Sequence, residues 1–472
     1  MNVNGYDTCL CDTGFGAIDC SATTPTLPQI IPAFGAATPP QYTKKDPYGD
    51  ANPLFDESAI ATIWMEVAPD DLEFIMNPAN AQTKDYKKAS FTFFNGNMST
   101  VVSNITTGLR IKGGASRQFV KKSWKISFNQ YADQTVYGMK KLLLKSASMN
   151  PDLVRERISR DLIYSMGAAV ERMSYANLYI NGLFRGLYIE MDDIDNTFLK
   201  SRFGSNNGGL WKITLSQMQP TLMWLGPSCD NYSIPVQYQP ENDYAESNCQ
   251  VLVHLIDVLN NAPDSTFEHD VQQIFDVQYY LRTLVVEVLS GNWDGGSYDG
   301  NNYYLYYDTS TTPALFKYIR QDLDMSWGSN SLFTLLGNMS VDLRTGDIFS
   351  YGTKVFGRFL TKRILNTPSF RQTYVSYMSA LLDTYLNLDP SSAFMQRMNL
   401  MHDSVTSSIQ QDYWHRLDLQ MSFKEFQTNI HDLPVTRPLY LINGTQYTYE
   451  YASVLLDWAQ DRIATATSQI NP

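Results

Sequence analysis

Between Gly291 and Gly328 the chain gathers acids and amides in an order that suits metal-dependent group transfer. Asp294 follows Asn292 and Trp293, Asn301 and Asn302 open the run Asn302-Tyr303-Tyr304-Leu305-Tyr306, and Asp322 and Asp324 flank Leu323. Carboxylate and amide oxygens converging from a hairpin are hard ligands suited to Mg2+ or Mn2+. The remaining acid could then accept a hydroxyl proton during phosphoryl transfer. A plainer reading stands beside this one, because Asp caps turns and helices in any fold.

Phosphate chemistry also asks for close backbone approach and a compact cation. Gly113, Gly114 and Ser116 fall in a turn between two strands, and Lys125 lies on the second of them. Lys145 ends a further strand, just before a helix that carries Glu156, and that acid can pair with either lysine. Lys125 is placed ahead of Lys145 here. The simpler alternatives are a hairpin turn at Gly113-Gly114 and a solvated lysine on an alternating strand.

The elements that must position these residues follow from period and punctuation. Thr62–Val67 alternates as a strand, and Pro69-Asp70-Asp71 opens a helix. Ala89–Phe94, Gly108–Lys112, Ser123–Phe128 and Lys141–Lys145 read as strands, and Asn150-Pro151-Asp152 starts a helix running to about Met166. Tyr175–Ile180 and Leu183–Met191 flank Asn181-Gly182, a strong hairpin signal. Helical periods cover Asn248–Asn261 and Asp276–Leu289, strands Asn302–Tyr307 and Leu315–Ile319 follow, and helices are expected over 354–366, 370–387, 390–415 and 451–470. A strand-rich first half and a helix-rich second half predict an α+β, bilobal architecture with a cleft between lobes. The boundaries are 60–195 and 196–472, preceded by a Pro/Thr/Ala-rich linker or strap over 21–59.

The Asn-x-Asp loop, the Asn-Asn-aromatic-x-Leu-Tyr strand and the Asp-x-Asp pair with Gly328 together resemble the signature of the CotH (spore-coat protein H) kinase family. Further family-like segments occur in order: Gly108–Gly113, Lys122–Ile126, Leu143–Ile158, Tyr179–Tyr188 and Gly209–Lys212. The resemblance runs from about Ile60 to about Arg462. It implies an atypical protein-kinase-like fold that binds ATP with a divalent metal and phosphorylates Ser/Thr hydroxyls of a protein. Asp294 would be the catalytic-loop acid, Asp322 and then Asp324 the metal acids, and Asn302 with Asn301 would help hold metal. Glu190 would sit where an adenine-contacting hinge belongs, although a simple strand end is nearly as good a reading. The chain departs from the family at Arg320-Gln321, where Pro-Trp is common before the Asp-x-Asp. That departure leaves room for a second reading, a cell-surface adhesin or ligand-binding protein on a degenerate kinase-like fold.

Charge and composition narrow the classes further. A formal net charge of −12 over 472 residues argues against a broad nucleic-acid-binding surface. No apolar run reaches the roughly 18–20 residues that span a bilayer. The five His show no zinc-ligand spacing, and no Gly-x-Ser-x-Gly elbow is present. Cys9, Cys11 and Cys20 with Gly14-Phe15-Gly16 resemble the last half of an EGF-like module over residues 1–20. Asn97, Asn104, Asn231, Asn338 and Asn443 begin sequons. Together these favour the secretory pathway with a leader removed, and in that setting Cys229 and Cys249 are expected to form a disulfide.

Overall fold

A computed structural model describes residues 52–148, 150–214, 221–232, 234, 237–329, 343–352, 359–419, 421–440 and 446–471. The EGF-like segment, most of the expected linker and the sequons at Asn338 and Asn443 lie outside them.

The first half is organised by seven strands: β1 (Ala61–Val67), β2 (Lys87–Phe94), β3 (Thr100–Lys112), β4 (Ser123–Ser127), β5 (Lys141–Lys145), β6 (Met173–Ile180) and β7 (Leu183–Asp192). They close into a barrel in the order β1-β2-β3-β4-β5-β7-β6. Every neighbouring pair is antiparallel except β1 and β6, which meet in parallel and seal the barrel. Helices α1 (Pro69–Met76) and α2 (Arg155–Ser165) interrupt the strands.

Strand parity decides what each barrel residue can do, because successive side chains point to opposite faces. Leu109, Ile111, Trp124, Ile126, Leu142 and Leu144 turn inward and join Ile63, Phe91 and Leu178 in the barrel core. Arg110, Lys112, Lys125, Leu143 and Lys145 therefore share the outer face. The register pairs Lys112 with Ser123 and Lys125 with Leu143, and this lays the lysines out in neighbouring rows.

The second half begins with α3 (Asn196–Phe203), β8 (Gly209–Ile213), β9 (Tyr238–Pro240), α4 (Asp243–Ser247), α5 (Cys249–Asn261), α6 (Phe267–Gln272) and α7 (Val277–Ser290). Strands β10 (Tyr303–Asp308) and β11 (Leu315–Arg320) complete a four-stranded sheet ordered β11-β10-β8-β9. Twelve of the fourteen residues of α7 are buried, so it is the central helix of this half. Cys229 and Cys249 form the expected disulfide.

The remaining elements are α8 (Phe359–Asn366), α9 (Pro368–Ala380), a π-helical turn (Leu381–Tyr385), α10 (Ala393–Gln411), α11 (Tyr413–Leu419), α12 (Phe423–Thr428), a hairpin of β12 (Val435–Tyr440) and β13 (Gln446–Ala452), and α13 (Leu455–Ile470). Val405, Ile409, Met421 and Phe426 pack against Leu143, Leu187 and Ile189 on the barrel's outside.

The mixed α+β class follows the sequence expectation. The closed barrel does not, because its sealing contact is a parallel pairing between strands far apart in the chain. The single helix expected over 390–415 ends at Gln411, since the fully buried Asp412 caps the next helix through the His415 amide. The helix expected from 451 starts at Leu455, after a strand.

Candidate functional site

Lys145, the last residue of β5, points off the barrel into three acids from α2 and the loop after β11. Its Nζ meets Glu156 Oε2 of α2 at 2.8 Å, Asp324 Oδ2 at 3.2 Å, and Asp322 Oδ1. Glu156 is fully buried and its other oxygen takes Arg160 at 3.0 Å and the Leu323 amide at 3.3 Å. One carboxylate thus joins β5, α2 and the loop after β11. Helix α2 starts later than expected because Asn150 and Asp152 cap it from outside, accepting the Leu153, Val154 and Arg155 amides.

Asp294 stands in the loop after α7, half-buried. Asn301 Nδ2 donates to its Oδ1 at 3.0 Å and Asn302 Nδ2 to its Oδ2 at 2.9 Å. Arg320 ties this loop to the acids beyond β11. Its guanidinium meets the Asn302 and Gln321 carbonyls, the Asp294 carbonyl at 3.3 Å, the Asp322 carbonyl at 3.2 Å and Asn292 Oδ1 at 3.0 Å. Buried Glu287 of α7 holds the Arg320 Nε at 2.7 Å, and Tyr318 donates to the same acid at 2.8 Å. Asn302 and Asp322 both adopt left-handed backbone, with φ of 56° and 61°, a conformation that Asn and Asp tolerate better than most residues.

The electrostatics separate the two neighbouring acids. Burial works to raise the Asp322 carboxyl, yet Lys145 and Lys112 hold it far below the usual carboxylate range. Burial, and then Asp322 beside it, push Asp324 up to about 8 against the pull of Lys145. Burial also raises Asp294, with Asp322 adding to it, while hydrogen bonding with Asp299 and Asn301 works the other way. Lys145 rises well above its ordinary value despite its burial, because three carboxylates surround it.

Several expected site residues lie elsewhere. Lys125 faces Asp193 after β7, in an ion pair that Lys141 joins at 3.6 Å. Glu190 lies near the end of β7, in keeping with the strand-end reading, fully buried and accepting from Ser174 Oγ at 3.1 Å. Burial raises that carboxyl well above its ordinary value. Gly113 has φ +111°, a backbone that favours glycine, and a Cβ there would also lie 2.1 Å from Ser116 Oγ. Gly114 and its loop neighbour Ser116 remain accessible.

The sequence reading gave no role to Lys112, which is half-buried on the outer face of β3. Burial pulls its ammonium down to about 8, with Lys145 and Lys212 adding to the effect and Asp322 opposing it. Strand parity was the available signal, since Lys112, Lys125 and Lys145 share one face. Arg320 carried a signal only as a departure from a family pattern.

A strand lysine, a helix acid that pairs with it, and two acidic loops joined by an arginine form one connected charged cluster. The chain belongs to the CotH family: residues 109–465 match the family described as CotH kinase protein. It is 25% identical over 346 residues to inner spore coat protein H of Bacillus subtilis (strain 168), covering 73% of this chain and 86% of that protein. It is 24% identical over 310 residues to invasin CotH2 of Rhizopus delemar, covering 64% of this chain and 50% of the relative. Invasin CotH3 of the same fungus is 22% identical over 388 residues, which is 81% of this chain and 61% of the relative. The chain thus spans most of the bacterial relative but only half to three-fifths of these fungal ones.

Proposed function

We propose that this chain is a secreted or surface-located phosphotransferase with a bilobal, protein-kinase-like fold, moving the γ-phosphate of ATP to Ser/Thr hydroxyls of a protein. The observation that carries the reading is Lys145. It is paired to Glu156 of α2 and reaches Asp322 and Asp324, while Arg320 holds Asp294 within the same assembly. Protein kinases place a strand lysine, a helix glutamate, a metal acid and a loop acid in corresponding roles.

The donor set suits a hard dication. Among the described residues no group of three or more His, Cys, Asp or Glu is placed to hold a metal ion by itself. Mg2+, however, keeps several waters and takes one or two carboxylates along with substrate phosphates. Asp322 and Asp324 would hold it with help from Asn302 or Asn301, and the bound metal would supply neutralising charge at the phosphates. Lys145 would bind phosphate oxygens while Glu156 keeps its ammonium aimed, and Lys112 would add a second cation beside it. Asp294, held by two amides and raised above the ordinary carboxylate range, is suited to accept the acceptor hydroxyl's proton. A secreted or surface setting is supported by the disulfide, by exposed sequon residues Asn97, Asn104 and Asn231, and by relatives named as coat proteins and invasins.

The test is incubation with Mg2+ or Mn2+ and ATP labelled separately at the α and γ positions, with Asp294→Ala and Asp322→Ala in parallel. Transfer of γ label alone to the chain or to casein, lost in both variants, is the expected result. Transfer of α label would mean that AMP moves instead. No transfer and no metal-dependent nucleotide binding would defeat the reading and favour a binding role on a degenerate kinase-like fold.

A further inference from the structure

We infer that helix α11, with Asp412 just before it, supports the phosphate site from outside the barrel, with Asp418 acting as a positioning residue that anchors the β3–β4 loop to the Lys145 strand. The loop carries Gly113, Gly114 and Ser116 at its open end. Its far end is held from outside the barrel. Asp418 of α11 accepts the Val120 amide at 2.6 Å and the Lys121 amide at 2.8 Å, across nearly 300 residues of sequence. The same carboxylate takes Ser148 Oγ at 3.2 Å. Ser148 lies 2.8 Å from Ser146 Oγ, and Ser146 lies 3.0 Å from Ser123 Oγ at the start of β4. Ser146 directly follows Lys145, so a continuous chain of hydroxyls runs from Asp418 to the end of β5.

A second tie acts beside it. Lys121 Nζ pairs with Asp412 Oδ2 at 2.6 Å, both side chains fully buried. Asp412 also accepts the Leu187 amide at 2.8 Å, and a Cβ on Gly186 would lie 2.4 Å from its Oδ2. The loop is fixed on its other side by Arg117, which reaches the Gly113, Ala81 and Thr83 carbonyls, the last at 3.0 Å. Anchors on both sides leave Gly113, Gly114 and Ser116 between them, held at a set position relative to Lys145. A phosphate-binding loop made rigid in this way keeps its backbone amides aimed without an ordering cost on each binding event.

What the loop binds rests on the phosphotransferase reading; how it is anchored does not. The experiment compares ATP and adenosine affinity in the full chain and in Asp418→Asn. The asparagine has one acceptor oxygen for two backbone amides and turns a donor toward the other. ATP should bind about tenfold more weakly while adenosine changes less than about twofold. Equal losses for both ligands, or no loss for ATP, overturn the inference. Ser148→Ala, which leaves both amides anchored, should show a smaller loss of the same kind. If the unaltered chain binds no ATP at all, the phosphotransferase reading fails and amide exchange at Val120 and Lys121 becomes the test. Faster exchange in Asp418→Asn supports the anchor, and unchanged exchange overturns it.

Discussion

Lys145→Met removes the cation that three acids share, and its consequence can be worked from the geometry. Glu156 and Asp324 lose partners at 2.8 Å and 3.2 Å, and Asp322 loses the cation that holds it ionised. Breaking a buried ion pair costs about 3–5 kcal/mol, because the surviving charges stay desolvated. Two features pull the figure to the low end. The Asp322 side chain is 38% exposed, so solvent screens that pair, and Arg160 still faces Glu156. A loss of about 3 kcal/mol remains, which at about 1 °C per kcal/mol for a chain of this size lowers the melting temperature by about 3 °C. Scanning calorimetry at neutral pH reads it directly. Lys145→Met with Glu156→Gln should recover part of the loss, since one buried charge goes with the other. Mn2+ should also raise the melting temperature of the single variant more than that of the unaltered chain. A drop below about 2 °C, or a double variant less stable than Lys145→Met, would refute this account of the cluster.

Lys112, with its ammonium near 8, should lose its proton as pH rises past that value. ATP affinity should therefore fall above about pH 8, a titration followed by calorimetry, and Lys112→Arg should flatten the fall because guanidinium stays charged. His415 is buried, and that burial lowers its pKa from 6.5 to about 4. Between those values the unfolded chain binds more protons than the folded one, so stability declines as pH drops from 6.5 toward 4. The full effect is about 3 kcal/mol, read as the difference between the unaltered chain and His415→Gln in urea melts across that range. Replacing Cys229 and Cys249 by Ser frees a loop with a sequence separation of 20. It should cost about 3 kcal/mol on the chain-entropy view, and reductant should lower the melting temperature only of the parent.

Local pattern revealed the strands and the helices that carry the site, since alternation and helical period are properties of neighbours in sequence. Lys141–Lys145 and the Asn181-Gly182 hairpin fall where they were expected. The barrel's closure was hidden because β1 meets β6 across more than a hundred residues, and nothing within either strand specifies its partner. The hairpin of Val435–Tyr440 with Gln446–Ala452 was hidden by its place among helices. At the site, residue types pointed to loops that the structure brings together through Arg320. The choice between Lys125 and Lys145 as partner of Glu156 needed register. Both lie on the barrel's outer face, but Lys125 faces Asp193 one row away, whereas the strand end brings Lys145 over α2. Asp418 gave no signal, because its partners, two backbone amides and the Ser148 hydroxyl, lie 270 to 298 residues away in the chain.

Arg320 gives the departure from the family pattern a physical meaning. A proline before the Asp-x-Asp has no donor, whereas a guanidinium carries five N–H groups in a rigid fork. In this chain those groups bind the carbonyls of Asn302, Gln321, Asp294 and Asp322 together with the Asn292 amide oxygen. Two of the residues so bound, Asn302 and Asp322, hold left-handed backbone, a conformation that persists only where the surroundings over-determine it. The buried Glu287 that balances Arg320 makes the arrangement all-or-none, since either charge alone would be stranded in the interior. A loop eroding toward a purely structural role would be expected to relax such strain. Here Arg320 instead ties the Asp294 and Asp322 loops together through one planar guanidinium, an arrangement in keeping with the proposed phosphotransferase reading.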